Sequence, residues 1–216
     1  MSSSVKGSIV GGVVEDLLVH RRSGRLCEDA LEASLEAADV KLLDDKPTAS
    51  AWVPMASYTR LLELLYAVEG HGQDRERYFE QRGARNAQRL FEAGLYQQLS
   101  FVDRWARDAT DGRSGERAIA AFGRNLKLVL TLSSSIYEGG VWSVTADPDH
   151  ASRFRVVVED AADYSRPMRW AAQGFLNECA RPRDGHRRDL FLGDLAAPDR
   201  FLFRMSMDID EMRPKA

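Results

Sequence analysis

The apolar residues of this chain change their spacing once. Up to about residue 135 they recur at three and four, the period of a helix, and from Val141 they recur at two, the period of a strand. Trp142, Val144 and Ala146 alternate with Val141, Ser143 and Thr145, and Phe154, Val156 and Val158 alternate with Arg153, Arg155 and Val157. The polar "ADPDHAS" between them supplies a hairpin turn. Pro167 then opens a helix on which Met168, Ala171, Ala172, Phe175, Leu176 and Cys179 share a face. After "RPRDGHRRD" the period returns to two in "LFL" at 190–192, then in Phe201, Phe203, Met205 and Met207. A run of helices followed by β-β-α-β-β predicts an α+β fold, with an N-terminal helical layer packed on an antiparallel sheet. The expected organisation is a single domain over 1–216, helical over about 5–135 and sheet-containing over about 136–210. A chain of 216 residues suffices for one well-buried core.

The first helix is read from "KGSIVGGVVEDLLVH", residues 6 to 20. A Walker loop would follow a strand and end in Gly-Lys-Ser/Thr, and neither feature is read here. Ile9, Val10, Val13, Val14, Leu17 and Leu18 fall at helical spacing instead, with Ser8 as N-cap and Glu15 and Asp16 on the other face. Glycine inside a helix costs roughly 0.5–1 kcal/mol relative to alanine. The small-x-x-x-small spacing of Gly7 and Gly11 therefore predicts close approach by another backbone, with Gly11 against it.

A second helix is expected over 24–38, where Leu26, Ala30, Leu31, Ser34 and Leu35 form a stripe. "DDKPTASAWVP" reads as a loop closing at Pro54, and the nearly all-round apolar residues 55–68 predict a helix in the middle of the core. Gly70, His71 and Gly72 form a turn before a long helix over 73–95, on which Arg82, Arg85 and Arg89 are expected to line a solvated face. A further helix spans 114–133.

Composition excludes several classes. With 30 basic and 33 acidic residues interspersed, the net charge of -3 offers no field for nucleic acid. No stretch approaches the ~20 apolar residues of a membrane span. Cys27 and Cys179 are too few for a disulfide framework, and "MSSSVK" lacks the apolar core of a signal peptide, so a cytoplasmic location is expected. Catalysis has no visible nucleophile: "SSS" at 133–135 lacks the Gly-x-Ser-x-Gly elbow, and no His-x-x-x-His or Cys-x-x-Cys occurs. Glu138, ahead of Gly139 and Gly140, reads as the turn into the first strand. The chain is not expected to be an enzyme.

"VKGSIVGGVVEDLL", "WVPMASYTRLLELL" and "DYSRPMRWAAQGFLNECA", in this order of elements, resemble a superfamily of ligand-binding domains. It unites heme-NO-binding domains, 4-vinyl-reductase-type domains and the Bet-type subunits of Golgi transport (TRAPP) complexes. Within it, a myxobacterial paralogous family of unknown function is the most similar. The resemblance covers about Lys6 to Met207 and implies a sensor that holds a small apolar molecule between helices and sheet and signals through a partner protein or a second copy. Trp142, Phe154, Phe203 and Met205 would share one sheet face opposite Tyr58 and Leu62 on the third helix. The Tyr58 hydroxyl and the Trp142 indole would anchor the ligand. The alternative is a dimerisation or scaffold module without ligand, built on the small residues of the first and long fourth helices.

Cofactors of the relatives are not expected. The Tyr-x-Ser-x-Arg heme-propionate motif does not occur, since "SYTRLL" spaces Tyr58 and Arg60 wrongly. His20 ends a helix, His71 lies between glycines, and His150 and His186 fall in polar segments, so none suits axial ligation of heme. Zinc would have only Glu178, Cys179 and His186, short of the four ligands of a structural site. Nothing around Cys27 matches the acyl-carrying motif of Golgi-transport relatives.

Overall fold

A computed structural model describes residues 3–93, 115–180, 189–195 and 197–212. The chain begins with a short strand, β1 (Ser4–Lys6), that runs directly into α1 (Gly7–Arg22). No strand is expected before this helix from its spacing; one is present, hydrogen-bonded antiparallel to β2 (Trp52–Pro54) and β3 (Tyr137–Glu138). Val5, opposite Val53 and Tyr137, is fully buried. The N-cap of α1 is Lys6 rather than Ser8, which is the second residue of the helix.

The expected second helix is two. α2 (Glu28–Ser34) and α3 (Ala37–Asp44) are separated by Leu35 and Glu36, both with extended backbone. The break is stabilised locally by a capping box, in which Glu36 and Asp39 each accept from the other's backbone. Asp39 is fully buried, and the Arg60 guanidinium clamps it at 2.5 and 3.1 Å. Burial alone would raise the Asp39 pKa, but Arg60 and Ser57 bring it below the usual range. α4 (Met55–Glu69) follows Pro54 and is buried along Met55, Tyr58, Leu61, Leu62 and Leu65, as its all-round apolar sequence predicts.

α5 (Arg75–Glu92) starts at Asp74, whose carboxylate accepts from the Arg77 amide at 2.9 Å. Its arginines are not simply solvated. Arg82 is 0 % exposed and ion-paired with Asp16, and it donates to the Gly12 carbonyl at 3.0 Å. Arg89 donates to the same carbonyl at 3.0 Å and to both Asp16 oxygens at 2.9 and 3.1 Å. Burial pushes Asp16 upward, but these arginines outweigh it and hold the carboxyl below the usual range. A buried guanidinium needs such a partner, and the partner lies on α1, out of reach of any local pattern.

The glycines of α1 divide the packing between them. A side chain at Gly12 would collide with Arg89, and one at Gly7 would lie 2.0 Å from the Thr48 carbonyl oxygen. Gly11 faces only the end of the Lys46 side chain, so the backbone approach expected there is made at Gly7. Gly7→Ala is accordingly expected to cost about 1–3 kcal/mol. Gly11→Ala should be neutral or stabilising, since Lys46 moves aside and the helix loses a glycine. Thermal melts of the two variants check this, and equal melting temperatures would contradict it.

After α6 (Gly115–Ser134) and β3, Gly139 and Gly140 turn the chain with φ of 94° and 76°, values that favour glycine. The β-β-α-β-β unit is then as expected: β4 (Val141–Ala146), β5 (Phe154–Glu159), α7 (Arg166–Cys179), β6 (Phe191–Asp194) and β7 (Phe201–Met205). The antiparallel order is β4-β5-β7-β6. Together with the helices this is an α+β fold, and its buried apolar cluster is continuous from Val5 to Ile209.

The closest helix pair is α5 on α7. A Cβ at Gly83 would lie 1.9 Å from the Ala171 carbonyl oxygen, and one at Gly174 would lie 1.8 Å from that of Glu80. The small residue of the long helix thus serves an internal contact rather than a second copy. Glu80 is half-buried beside this crossing, and Gln173 donates to it at 2.5 Å. Burial, with the charges of Glu76, Asp189 and Asp74, raises its pKa to about 7, which the Gln173 bond lowers only in part. The folded state therefore binds the Glu80 proton more tightly than the unfolded chain, and stability falls as pH rises from about 4.5 to about 7. Glu80→Gln is expected to raise the melting temperature above pH 7 and to leave it unchanged near pH 4. An equal effect at both pH values would contradict this.

Candidate functional site

The strand register places Trp142, Phe154, Phe203 and Met205 on one sheet face, with Val156, Val158 and Phe201. Aromatic rings from the helices and loops meet this face. Phe122 of α6 stacks on Phe154 with centroids 6.0 Å apart, and Trp142 packs edge-on against Phe201 and Tyr164. Tyr58 and Leu62 are buried on α4, which packs against α1, α2, α3, α7 and the small sheet. Tyr137 links the two groups. Its ring stacks on Trp142 at 6.0 Å, and its hydroxyl is pushed well up, by burial first and then by Tyr58, Tyr164 and Cys179.

Both polar anchors expected for a ligand already have partners within the protein. Asn86 donates to the Tyr58 hydroxyl at 3.4 Å, and burial pushes that hydroxyl up to about 12. The Trp142 indole donates to the Tyr164 hydroxyl at 3.4 Å, which donates to the Gly139 carbonyl at 2.7 Å. Phe203, Met205, Tyr58 and Leu62 are at most 2 % exposed, whereas Trp142 also lines a shallow open depression with Lys127 and Leu130.

A larger groove lies elsewhere, between the C-terminal half of α1, α2 and the last turns of α4. It arises from a tight reversal. α1 ends at Arg22, Gly24 turns with φ of 73°, and the amides of Arg25 and Leu26 both return to the His20 carbonyl. This folds Leu26 inward and leaves Cys27 exposed at the N-cap of α2. Leu31, 1 % exposed, anchors α2. The resulting groove measures about 890 Å³, with Leu26, Ala30, Leu64, Ala67 and Val68 as its apolar wall. That volume is in the range of small-molecule sites, about 300–1,000 Å³.

Polar groups gather at its deep end. His20 continues the Val13–Leu17 stripe by three positions and is therefore drawn in, to 5 % exposure. Its Nε2 lies 2.9 Å from Glu69 Oε1, and the Tyr78 hydroxyl donates to Glu69 Oε2 at 2.8 Å. Burial would raise Glu69, but His20, Tyr78 and the charges of Arg82 and Arg85 bring it below the usual carboxylate range. Burial and the same carboxylate push the Tyr78 hydroxyl up. His20 Nδ1 is buried and without a hydrogen-bond partner. Arg25 is exposed at the rim, and its guanidinium donates to the Ser23 hydroxyl at 3.3 Å. The sequence reading placed His20 at a helix end, which is right, but its partner Glu69 sits on another helix and left no local signal.

The remaining candidates fall apart in space or outside the described residues. His71 is exposed in its turn, His150 is exposed between β4 and β5, and His186 lies outside the described residues. Cys179 is buried, which pushes its thiol well up, and Glu178 accepts from Gln88 at 2.8 Å. Among the described residues no three His, Cys, Asp or Glu side chains gather to hold a metal ion. Among the described residues no hydrogen bond joins Cys27 to His20 Nδ1. No described helix is long and apolar enough to cross a membrane. Comparison with protein-family models, with curated proteins and with solved structures gave no match.

Proposed function

We propose that this chain is a non-catalytic, cytoplasmic sensor domain of the superfamily it resembles, holding a small apolar molecule and signalling through protein contacts. The observation that carries the reading is the groove of α1, α2 and α4, whose apolar wall ends on the His20–Glu69 pair. The interior first expected to hold the ligand is rich in packed rings, and its two anchors are engaged. The groove is therefore the better site. Two unpaired thiols suit a reducing compartment.

Nile red, a neutral apolar dye, is expected to bind the native protein saturably. Ala30→Trp, which fills the groove from α2, is expected to weaken that binding at least about tenfold with stability changed by no more than about 0.5 kcal/mol. Unchanged dye affinity in Ala30→Trp would remove the groove as the site.

A second reading, an interaction module without ligand, has its own observation. The outer strands β4 and β6 expose Val141 at 55 % and Leu192 at 54 %, beside edges that pair with no further strand among the described residues. Under it the protein is a dimer by sedimentation equilibrium, dissociated by Leu192→Lys, and binds no dye.

A further inference from the structure

We infer that the ligand of the groove is an uncharged molecule with a hydroxyl head, its apolar body on the α2–α4 wall and its hydroxyl donating to the Glu69 carboxylate. This rests on the sensor reading above and names the ligand's chemistry. Three observations point to a head that donates a hydrogen bond and carries no charge.

The first is the room left on Glu69. Its side chain lines the groove at 21 % exposure, and its carboxyl is held below the usual range, so it is ionised and only accepts. Oε1 takes the proton of His20 Nε2 and Oε2 that of the Tyr78 hydroxyl, and a carboxylate oxygen can accept a second bond. The second is the direction of two helices. The groove takes Val19 and His20 from the last turn of α1, and Val68 and Glu69 from the last turn of α4. A helix C-terminus carries partial negative charge, which favours a donor and disfavours an anion. The third is the balance of charge. Asp16, the other carboxylate of the lining, is taken up by Arg82 and Arg89, and Arg85 stands 4.0 Å from Glu69. A carboxylate head would face Asp16 and Glu69, and an ammonium head would face the arginines beside them. A hydroxyl meets neither penalty.

The apolar wall requires the rest of the molecule to be hydrocarbon or aryl. Arg25, Cys27, Ser34 and His71, the polar lining groups of the mouth, are exposed and stay in water. His20, 5 % exposed, holds Glu69 in place through Nε2. A hydrogen bond from a hydroxyl to a carboxylate is shorter and stronger than one between neutral groups, so the head decides between ligands of equal apolar bulk.

Octanol and its isomer heptyl methyl ether test this, since only the alcohol has a donor. Calorimetry on the full, unaltered chain is expected to give octanol at least about tenfold tighter binding than the ether, and tighter binding than octanoate or octylamine. Glu69→Gln, which replaces the charged acceptor by a neutral one, is expected to shrink the margin over the ether to about threefold or less. The comparison of isomers needs no variant, so it decides the matter even where Glu69→Gln folds poorly. Equal binding of the isomers, with both lost in Ala30→Trp, overturns the hydroxyl head while the sensor reading stands. Tighter binding of octanoate or octylamine, or a margin that survives Glu69→Gln in full, also overturns it. If octanol, the ether and Nile red all fail to bind, the sensor reading falls with it.

Discussion

Arg169→Met is expected to destabilise the protein by about 2–6 kcal/mol. The arginine sits on α7, 5 % exposed, and among the described residues it forms no ion pair, Asp199 acting on it only at a distance. Its five N–H groups are instead spread over backbone carbonyls. Nε donates to Tyr164 at 2.8 Å, Nη1 to Leu195 at 3.1 Å and to Ala197, and Nη2 to Ala161 at 3.3 Å and to Pro198. The guanidinium also lies 5.1 Å from the Phe201 ring centroid. One side chain thereby ties the segment before α7 and the segment before β7 to the helix that packs on the sheet. Methionine fills the space but takes this donor from the buried Tyr164 and Leu195 carbonyls, at ~1–3 kcal/mol each, whereas the Ala161 carbonyl keeps the Tyr164 amide at 3.0 Å and Ala197 and Pro198 are exposed. The sum is about 2–6 kcal/mol, a large fraction of the stability of many domains. Arg169→Lys keeps a charge but offers fewer donors and no planar fork, so it should fall between. Denaturant melts of the three proteins check the order, and a methionine variant as stable as the parent would contradict this account.

Gly174→Leu is the second large effect. The helix crossing of α5 and α7 is so close that even a methyl group at Gly174 would lie 1.8 Å from the Glu80 carbonyl oxygen and 2.5 Å from its carbon. No rotamer of leucine relieves a clash made by its Cβ with another helix's backbone, so the helices must separate. The expected cost is about 3 kcal/mol or more, at the upper end of overpacking. Gly72→Ala, at a position with open space but φ of 74°, should cost less, since only its own backbone is strained. Circular dichroism melts compare the two; if Gly174→Leu is the milder change, the helices are not in backbone contact there.

The long elements were legible because their residues repeat a period several times. The buried α4, the long α5 after the Gly70–Gly72 turn and the shared face of Trp142, Phe154, Phe203 and Met205 all stand where the spacing puts them. β1, β2 and β3 were not legible. Strands of two or three residues show no full alternation, and they exist because Val5 pairs with Val53 and Tyr137 from distant parts of the chain. The division between α2 and α3 was hidden in the same way. Asp39 reads as a surface carboxylate until Arg60 arrives from α4. Arg82 and Arg169 look like solvated helix positions, since burial of an arginine depends on partners that the local sequence does not contain. The groove was missed for that reason too. Leu26, Ala30, Leu64 and Val68 belong to separate helical stripes, and only the reversal at Gly24 turns them into one wall.

The most direct test of the central claim, an apolar ligand in that groove, is methyl-resolved NMR of the protein titrated with Nile red. The account predicts saturable shifts confined to the methyl groups of Val19, Leu26, Ala30, Leu64 and Val68, with Leu62 and Met205 unmoved. Shifts centred on Leu62 and Met205, or none at saturating dye, would contradict it.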